Sequence, residues 1–417
     1  MAIAPTSANA AAARPGTQFF APQVRLVDER GQPITLGNQP VSQDIVSAKV
    51  TLGSSSVGQV EVVLNNQRHS DEDRPLAPSW RYNRLAPISF GSRVRVDFRY
   101  GNEPWTPMIL ARITDLAFLF PQAAGAQITL QGEDLASLLK VKPSADPAPY
   151  SRLHEIDIVE RELSASGAGL TLASPRPSPV FGAALPDTTH KKDKSYLQFI
   201  DELAKRMDHE VFVEFDDASP DSAAPAIHLH FEPVRAATLN KVVDLAWGRD
   251  LLDFKPTFKV WDMLTEATAS GRIPGRRGGF NVTVRMADAI NGLHAAPGGA
   301  SPISAARVRE QAFANENRPD ANGEAVESTN LDEERARLKA TAVLRRSARQ
   351  FLTADITTLG FTKLRPGMHV NLSKLYAPFD GIYYVTQTVH TLSAAGYLTV
   401  SSLCRPGMLD PSTYPRG

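Results

Sequence analysis

The chain has 417 residues, more than one hydrophobic core usually organises, so about two to four domains are expected. Its 45 basic and 45 acidic side chains balance, which argues against a strong non-specific nucleic-acid or membrane-surface binder. The single cysteine, Cys404, excludes an intramolecular disulfide and a cysteine-based zinc site. No apolar stretch approaches the roughly 18 residues of a spanning helix, and the N-terminus lacks a signal-peptide pattern. We therefore expect synthesis in the cytoplasm, without membrane insertion.

Residues 1–20, rich in Ala, Pro and Ser, predict a flexible N-terminal arm. Residues 21–145 predict a first tube-like β-barrel, because strand patterns recur between turn signals. The clearest strand is SRVRVDFRY, in which apolar residues alternate with Arg93, Arg95, Asp97 and Arg99. This alternation predicts a half-buried strand with a charged outer face.

Residues 146–236 predict a small α+β domain. One helix should end near Gly167 or Gly169. A second should begin at Ser195, because Gln198 three residues later completes a capping-box pattern. The helix continues into an alternating strand, and AIHLHF at 226–231 is its expected partner.

Residues 237–271 plus 332–405 predict a second tube-like β-barrel, followed by a C-terminal tail at 406–417. The intervening residues 272–331 are rich in Gly, Ala, Asn and Pro and predict an irregular insertion. A helix from about Asp332 to Phe351 should follow it. The final hairpin predicts strict alternation, with Tyr383, Val385, Gln387, Val389 and Thr391 on one face. The fold class is therefore mainly β with α+β elements, as two tube-like antiparallel barrels flanking a small α+β domain.

Candidate chemistry is sparse. His228 and His230 share one face of a strand and are one pair that a metal-dependent enzyme could use. A third ligand would have to come from His154, His190 or His209. The simpler interpretation is two solvent-facing histidines, and elemental analysis with and without them would separate the two.

The last hairpin holds His390 and Cys404, but nothing in the sequence marks the third group that a Cys–His nucleophile needs. GRIPGRRGG at 271–279 has neither the lysine nor the strand–loop–helix context of a phosphate loop, so it is interpreted as a flexible basic loop. We therefore predict no catalytic, cofactor-binding or metal residue. A carbohydrate-binding β-protein is a further alternative, although four tryptophans are few for it.

The order of these segments resembles the late control D family of contractile phage tails. It is also similar to the hub portion of the valine–glycine-repeat (VgrG-like) spike proteins of type VI secretion, and to the hub of contractile injection systems. The resemblance rests on segments along most of the chain. These include DIVSAKVTLGSSSVGQVEVVLNN, FGSRVRVDFRYGN, KSYLQFIDELAKRMDHEVFVEFDD, LAWGRDLLDFKPTF, LRPG at 364–367, the G-x-Y-Y-V-x-x-x-x-H strand at 381–390, and GYLT at 396–399.

The resemblance implies a structural baseplate hub, without enzymatic activity, assembled as a homotrimer. Each subunit would give two barrels, so that three copies form a pseudo-sixfold ring between the tail tube and the central spike. The implied partners are the tail tube protein, a separate spike protein and other baseplate components, with no specific nucleic-acid binding. The implied location is a phage tail or injection-system particle, and the spike is expected to dock near residues 405–417.

Overall fold

The computed structural model describes residues 21–67, 80–122, 125–145, 148–173, 176–181, 187–188, 192–216, 225–234, 242–261, 263–272, 278–290, 303–313, 323–327 and 332–409. The predicted arm at 1–20, His190 and residues 410–417 lie outside this part. Within it the protein is mainly β with α+β elements, which confirms the predicted fold class. The same residues contain no helix with the length and apolar character needed to cross a membrane.

Six of the first eight strands form one antiparallel layer, here called the first β unit. The eight strands are β1 (Pro22–Val27), β2 (Thr35–Leu36), β3 (Gln39–Pro40), β4 (Ile45–Gly53), β5 (Ser56–Asn65), β6 (Arg93–Tyr100), β7 (Thr106–Leu119) and β8 (Gln127–Asp134). The hydrogen-bonded order is β1-β6-β7-β8-β5-β4, with every neighbouring pair antiparallel. Alternate apolar residues, such as Val50, Val62 and Val96, form its core.

The α+β domain follows a short 3₁₀ helix at Leu135–Lys140. Its elements are β9 (Tyr150–Ser151), α1 (Glu155–Ser166), β10 (Thr171–Leu172), β11 (Asp187–Thr188), α2 (Tyr196–Arg206), β12 (His209–Phe215) and β13 (Ile227–Pro233). Helix α1 ends at Gly167, whose φ of 66° only glycine adopts at little cost. Ser195 and Gln198 form the predicted capping box of α2. Both helix predictions are confirmed.

Six strands of the remaining chain form the second β unit. They are β14 (Val242–Ala246), β15 (Leu251–Phe258), β20 (Leu352–Leu359), β21 (His369–Ser373), β22 (Gly381–Ser393) and β23 (Gly396–Arg405). The order is β14-β21-β22-β23-β20-β15, and all neighbours are antiparallel except β14 and β21. The glycines that begin β22 and β23, Gly381 and Gly396, have positive φ values, which other residues adopt only with strain.

The two β units share one strand order, although the first strand is antiparallel to its neighbour in the first unit and parallel to it in the second. If the six strands of each unit are counted along the chain, the spatial order is first, fourth, fifth, sixth, third, second in both. The units also belong to one 12-stranded sheet, because β4 of the first unit pairs with β22 of the second. The protein is therefore a repeated β architecture with an internal junction between the two repeats.

The segment between β15 and β20 corrects one sequence prediction. It holds β16 (Glu266–Arg272), β17 (Gly279–Arg285), α3 (Met286–Ala289), β18 (Ile303–Ser304), α4 (Ala305–Phe313), β19 (Gly323–Glu327) and α5 (Glu333–Arg349). Strands β17, β16 and β19 form a sheet, and β18 pairs with the last strand, β24 (Gly407–Met408). The described residues of the predicted irregular insertion at 272–331 are thus largely regular. They pair with strands outside their own segment, which local periodicity does not reveal.

Two strand predictions are also wrong in detail. Arg95 and Asp97 of β6 are buried rather than on a charged outer face, because Asp97 accepts hydrogen bonds from both Arg25 and Arg95 at 2.8 Å. In β22 a β-bulge after Val385 inserts one residue and reverses the alternation. Tyr383 is buried before the bulge and Thr388 after it, so the predicted odd-numbered face changes sides.

Candidate assembly interface

The intrachain junction between the two β units shows how this protein joins one unit to another. Before its bulge β22 pairs with β21, and after the bulge it pairs with β4 on the same side. Gln387 to Leu392 run antiparallel to Gly53 to Ala48, with Thr391 opposite Lys49. Main-chain pairing of two strand edges therefore forms this interface.

Tyr397 fastens the junction with a side chain. It is the second residue of β23 in the second unit, but its ring lies in the core of the first unit, 5.1 Å from Phe98 and 5.6 Å from Tyr100 between centroids. The Tyr100 hydroxyl donates a hydrogen bond of 2.9 Å to the carbonyl of Gly360. A Cβ at Gly360 would lie 2.0 Å from the Tyr397 ring, so only glycine fits this close approach.

His390 is a buried structural residue of the junction. Its Nε2 donates to the carbonyl of Leu364 at 3.1 Å, and its Nδ1 therefore accepts from the Tyr397 hydroxyl at 2.9 Å. Burial, followed by the charge of Arg365, lowers the pKa of His390 well below its ordinary value. The imidazole is therefore neutral and fully occupied by hydrogen bonds.

Cys404 is not placed to form a nucleophile pair with His390. Their positions on the hairpin differ, because Cys404 lies opposite Tyr384 and His390 lies opposite Thr399. Burial raises the pKa of the Cys404 thiol to about 12, which keeps it protonated near neutral pH. The Tyr, His and Cys side chains that are concentrated in this hairpin therefore contribute to its packing.

Glu210 connects three parts of the protein through one carboxylate. It lies on β12 of the α+β domain, accepts a hydrogen bond of 2.9 Å from Ser54 of the first unit, and accepts another from the hydroxyl of Tyr384 of the second. Burial raises the pKa of Glu210 to about 7, against the hydrogen bonds and the charge of Arg349 that lower it. The nearby charges are Asp208 and Arg349, which form an ion pair.

The raised pKa of Glu210 predicts a specific pH dependence of the free energy of unfolding. Its pKa rises from 4.5 to about 7 on folding, so its stabilising contribution is complete below pH 4.5 and is lost as the pH rises through 7. We expect wild-type stability relative to Glu210→Gln to fall by about 1–3 kcal/mol between pH 5 and pH 8. Urea unfolding of both proteins across this range measures the difference.

The matched control for that experiment is Glu61→Gln, which changes an exposed glutamate on β5. Its difference from wild type should stay constant over the same pH range. A constant difference for Glu210→Gln as well would show that Glu210 ionises alike in the folded and unfolded chain.

The other candidate groups are not assembled into a site. His228 Nδ1 lies 3.0 Å from the Thr171 hydroxyl, whereas His230 lies 2.9 Å from Glu232 and stacks on Phe212. In the described residues no group of three or more His, Cys, Asp or Glu side chains could hold a metal ion. Of the predicted basic loop at 271–279, residues 273–277 lie outside the described part, and its flanks are the ends of β16 and β17.

The registers of the ladders define which residues of the two units are equivalent. In the first unit β7 also has a bulge, after Ile113, and Asp115 is the first paired residue beyond it. Across the sheet from Asp115 lie Gln131, then Glu61, then Lys49 of β4.

The same path can be followed in the second unit. Gln387 is the first paired residue beyond the bulge of β22, and across from it lie Ser402, then Asp355, then Lys255 of β15. On each path the third residue is acidic and accepts a hydrogen bond from the side chain of the second: Glu61 from Gln131, and Asp355 from Ser402. Both paths end on a lysine. Lys49 and Lys255 are therefore equivalent, and so are Asp115 and Gln387.

β7 and β15, which are equivalent to the junction strands β22 and β4, have unpaired edges among the described strands. Beyond its bulge β7 has no described partner on the β6 side, and β15 is the last strand of the sheet order. Large apolar side chains at these edges are exposed: Leu119 by 58%, Phe120 by 49%, Leu252 by 53% and Phe258 by 39%. Sequence patterns gave no signal for these edges, because edge position depends on the order of strands in the sheet.

No protein-family model matches this chain, and no curated protein matches it in sequence. Solved structures do match. A tail protein from Neisseria meningitidis is similar with a TM-score of 0.61 and 13% identity, covering 95% of this chain and 99% of that one. The 43 kDa tail protein of prophage MuSo2 from Shewanella oneidensis is similar with a TM-score of 0.59 and 14% identity, covering 93% and 99%.

The c3393 protein of E. coli is similar with a TM-score of 0.50 and 11% identity, covering 89% of this chain and 77% of that one. It is described as a component of the type VI secretion system with structural similarity to the T4 bacteriophage tail proteins gp27 and gp5. At such low identities the similarity establishes the fold alone. The chain therefore has a fold found in phage tail proteins and in a type VI secretion component.

Proposed function

We propose that this protein is the non-enzymatic hub of a baseplate in a contractile tail or injection system. Three copies form a ring of six β units that joins the tail tube to the central spike. The observation that carries the proposal is the pair of β units with one strand order in one sheet. A chain with two similar units can present six similar positions to a sixfold tube and only three to a threefold spike.

The exposed face of the shared sheet is the surface that lines the bore in this proposal. It crosses the junction without interruption, exposes Leu359, Leu398 and Val400 beside polar side chains, and has charged residues of both signs. They include Lys49 and Glu61 in the first unit and Lys255 and Asp355 in the second. Such a wall suits a water-filled passage, because its charged side chains are stable only where they keep their water.

The proposed partners are a tube protein on one side of the ring and a separate spike protein on the other, with further baseplate components around it. The chain is made in the bacterial cytoplasm and incorporated into the particle there. Gly407 and Met408 already pair with β18 of the same chain, so the spike contact is assigned to the residues that follow them.

Mass measurement of the purified chain tests the proposal. We expect a stable trimer, and binding to the tube and spike proteins of the same particle. The His228→Ala and His230→Ala double variant is the matched control, since a hub should assemble and bind like wild type without these imidazoles. A persistent monomer that binds neither partner would overturn the proposed function.

A further inference from the structure

We infer that the unpaired edge of β7 in one copy pairs with the edge of β15 in a second copy, in antiparallel register with Leu119 opposite Lys255. This interface rests on the proposed function, because it links copies head to tail into the ring. It assigns the contact to a second copy of this chain rather than to another protein.

The internal junction is the template for this contact. There the segment of β22 beyond its bulge takes the edge of β4. β7 has the same place in the first unit as β22 has in the second, and a bulge at the same point. β15 has the same place as β4. Each chain therefore contains one complete junction, between β22 and β4. It also contains two unpaired edges, on β7 and β15, that correspond to the two sides of a second junction.

The register follows from the equivalences without adjustment. Thr391 lies opposite Lys49 in the junction, and their equivalents are Leu119 and Lys255. Because the pairing is antiparallel, each step forward along β7 is a step back along β15. Asp115 then comes opposite Lys259 of the second copy, which follows directly after β15.

The pairs that this register places on the core face are all apolar. In the junction the corresponding face holds the buried residues Ala48, Val50 and His390. In the new contact the core-facing pairs are Leu116 with Phe258, Phe118 with Pro256, and Phe120 with Phe254. A shift of one residue would turn these side chains to the opposite face and lose the match.

The solvent-facing pairs of this register are compatible as well. Asp115 and Lys259 are both exposed and have opposite charges, and Ala117 faces Thr257 with no steric conflict expected between two small side chains. Pro256 has no N–H, so its pair with Phe118 contributes at most one main-chain hydrogen bond to the new ladder. The core-facing residues Leu116, Phe118 and Phe120 thus find apolar partners on the edge of β15, whereas Leu119 lies opposite Lys255 on the solvent-facing side.

Paired cysteines test the contact directly. The double variant Ala117→Cys and Thr257→Cys should form disulfides between copies on mild oxidation, giving covalent species of two and three chains on non-reducing gels. Mixing the two single variants should give covalent dimers and nothing larger, which separates a link between copies from one within a chain. Buried Cys404 is common to all of these proteins.

The register has its own control. Ala117→Cys combined with Lys255→Cys shifts the second thiol by two residues and should cross-link at least five-fold less. Charge reversal gives an independent reading: Asp115→Lys alone should weaken association at least three-fold, and adding Lys259→Asp should restore it.

The outcomes separate this inference from the proposed function. A trimer of the Ala117→Cys and Thr257→Cys double variant that assembles but forms no disulfide between copies overturns the edge pairing and leaves the hub proposal standing. Cross-links from Ala117→Cys alone would show that β7 pairs with β7, which also overturns it. A chain that stays monomeric at all concentrations overturns both.

Discussion

Replacing Arg349 with methionine should lower the free energy of unfolding by about 3–5 kcal/mol. Arg349, at the end of α5, holds Asp208 through two hydrogen bonds, one of them 3.2 Å long, and both side chains are nearly inaccessible. The variant leaves the Asp208 carboxylate buried without its main partner. Arg345, at 3.7 Å, stays as a second cation, so the loss should lie near 3 kcal/mol. Equilibrium unfolding in urea measures it.

Arg337→Met on the same helix is the matched control, because its guanidinium is exposed and 3.8 Å from Glu333. It should cost less than about 1 kcal/mol. Adding Asp208→Asn to Arg349→Met should recover part of the loss, since the buried charge is then removed. Equal losses for Arg337→Met and Arg349→Met would refute the assigned role of the ion pair.

Tyr397→Ala should cost about 3–5 kcal/mol, in the range of other large aromatic deletions from cores. The deletion empties space in the first β unit although Tyr397 belongs to the second, and it removes the hydroxyl that donates to His390. We therefore expect loss of coupling between the units as well. Urea unfolding and limited proteolysis should show the change as a broader transition and as cleavage between the units.

The neighbouring residue gives the control. Leu398→Ala alters a side chain on the exposed face, 37% accessible, and should cost less than about 1 kcal/mol. A single sharp transition for Tyr397→Ala with unchanged stability would mean that the ladder between β4 and β22 alone holds the units together.

The sequence predicts the helices well because their signals are local. Ser195 and Gln198 define the start of α2 within four residues, and Gly167 ends α1 by its own backbone preference. Asp332 caps α5, which ends at Arg349, near the predicted Phe351. The final hairpin is likewise visible as two strands between glycines.

The failures all depend on residues distant in sequence. The burial of Asp97 requires Arg25, 72 residues away, to neutralise it. The bulge in β22 coincides with its change of partner from β21 to β4, and β4 lies more than 300 residues earlier. The strands of the predicted irregular insertion pair with strands outside that segment, β19 with β16 and β18 with β24. Periodicity within a window contains none of this information.

The family resemblance of the sequence implies a homotrimer, but it does not indicate which surface the copies use to associate. Phe118 and Leu119 look like core residues of an alternating strand, and only the sheet order shows that they lie at an unpaired edge. The repeat of Lys49 at Lys255 is equally invisible in the sequence, because the surrounding residues differ. It becomes clear from three successive ladder registers in each unit.

β22 is synthesised long after its partner β4, and this order affects folding during translation. All strands of the first β unit have left the ribosome when Asp134 appears, but the partner of β4 follows only with Gln387 to Leu392. At about 5–20 residues per second, β4 waits on the order of 20–70 s for that partner. During this interval nascent chains on one message present identical open edges to each other, so slower translation or premature termination should increase co-translational aggregation.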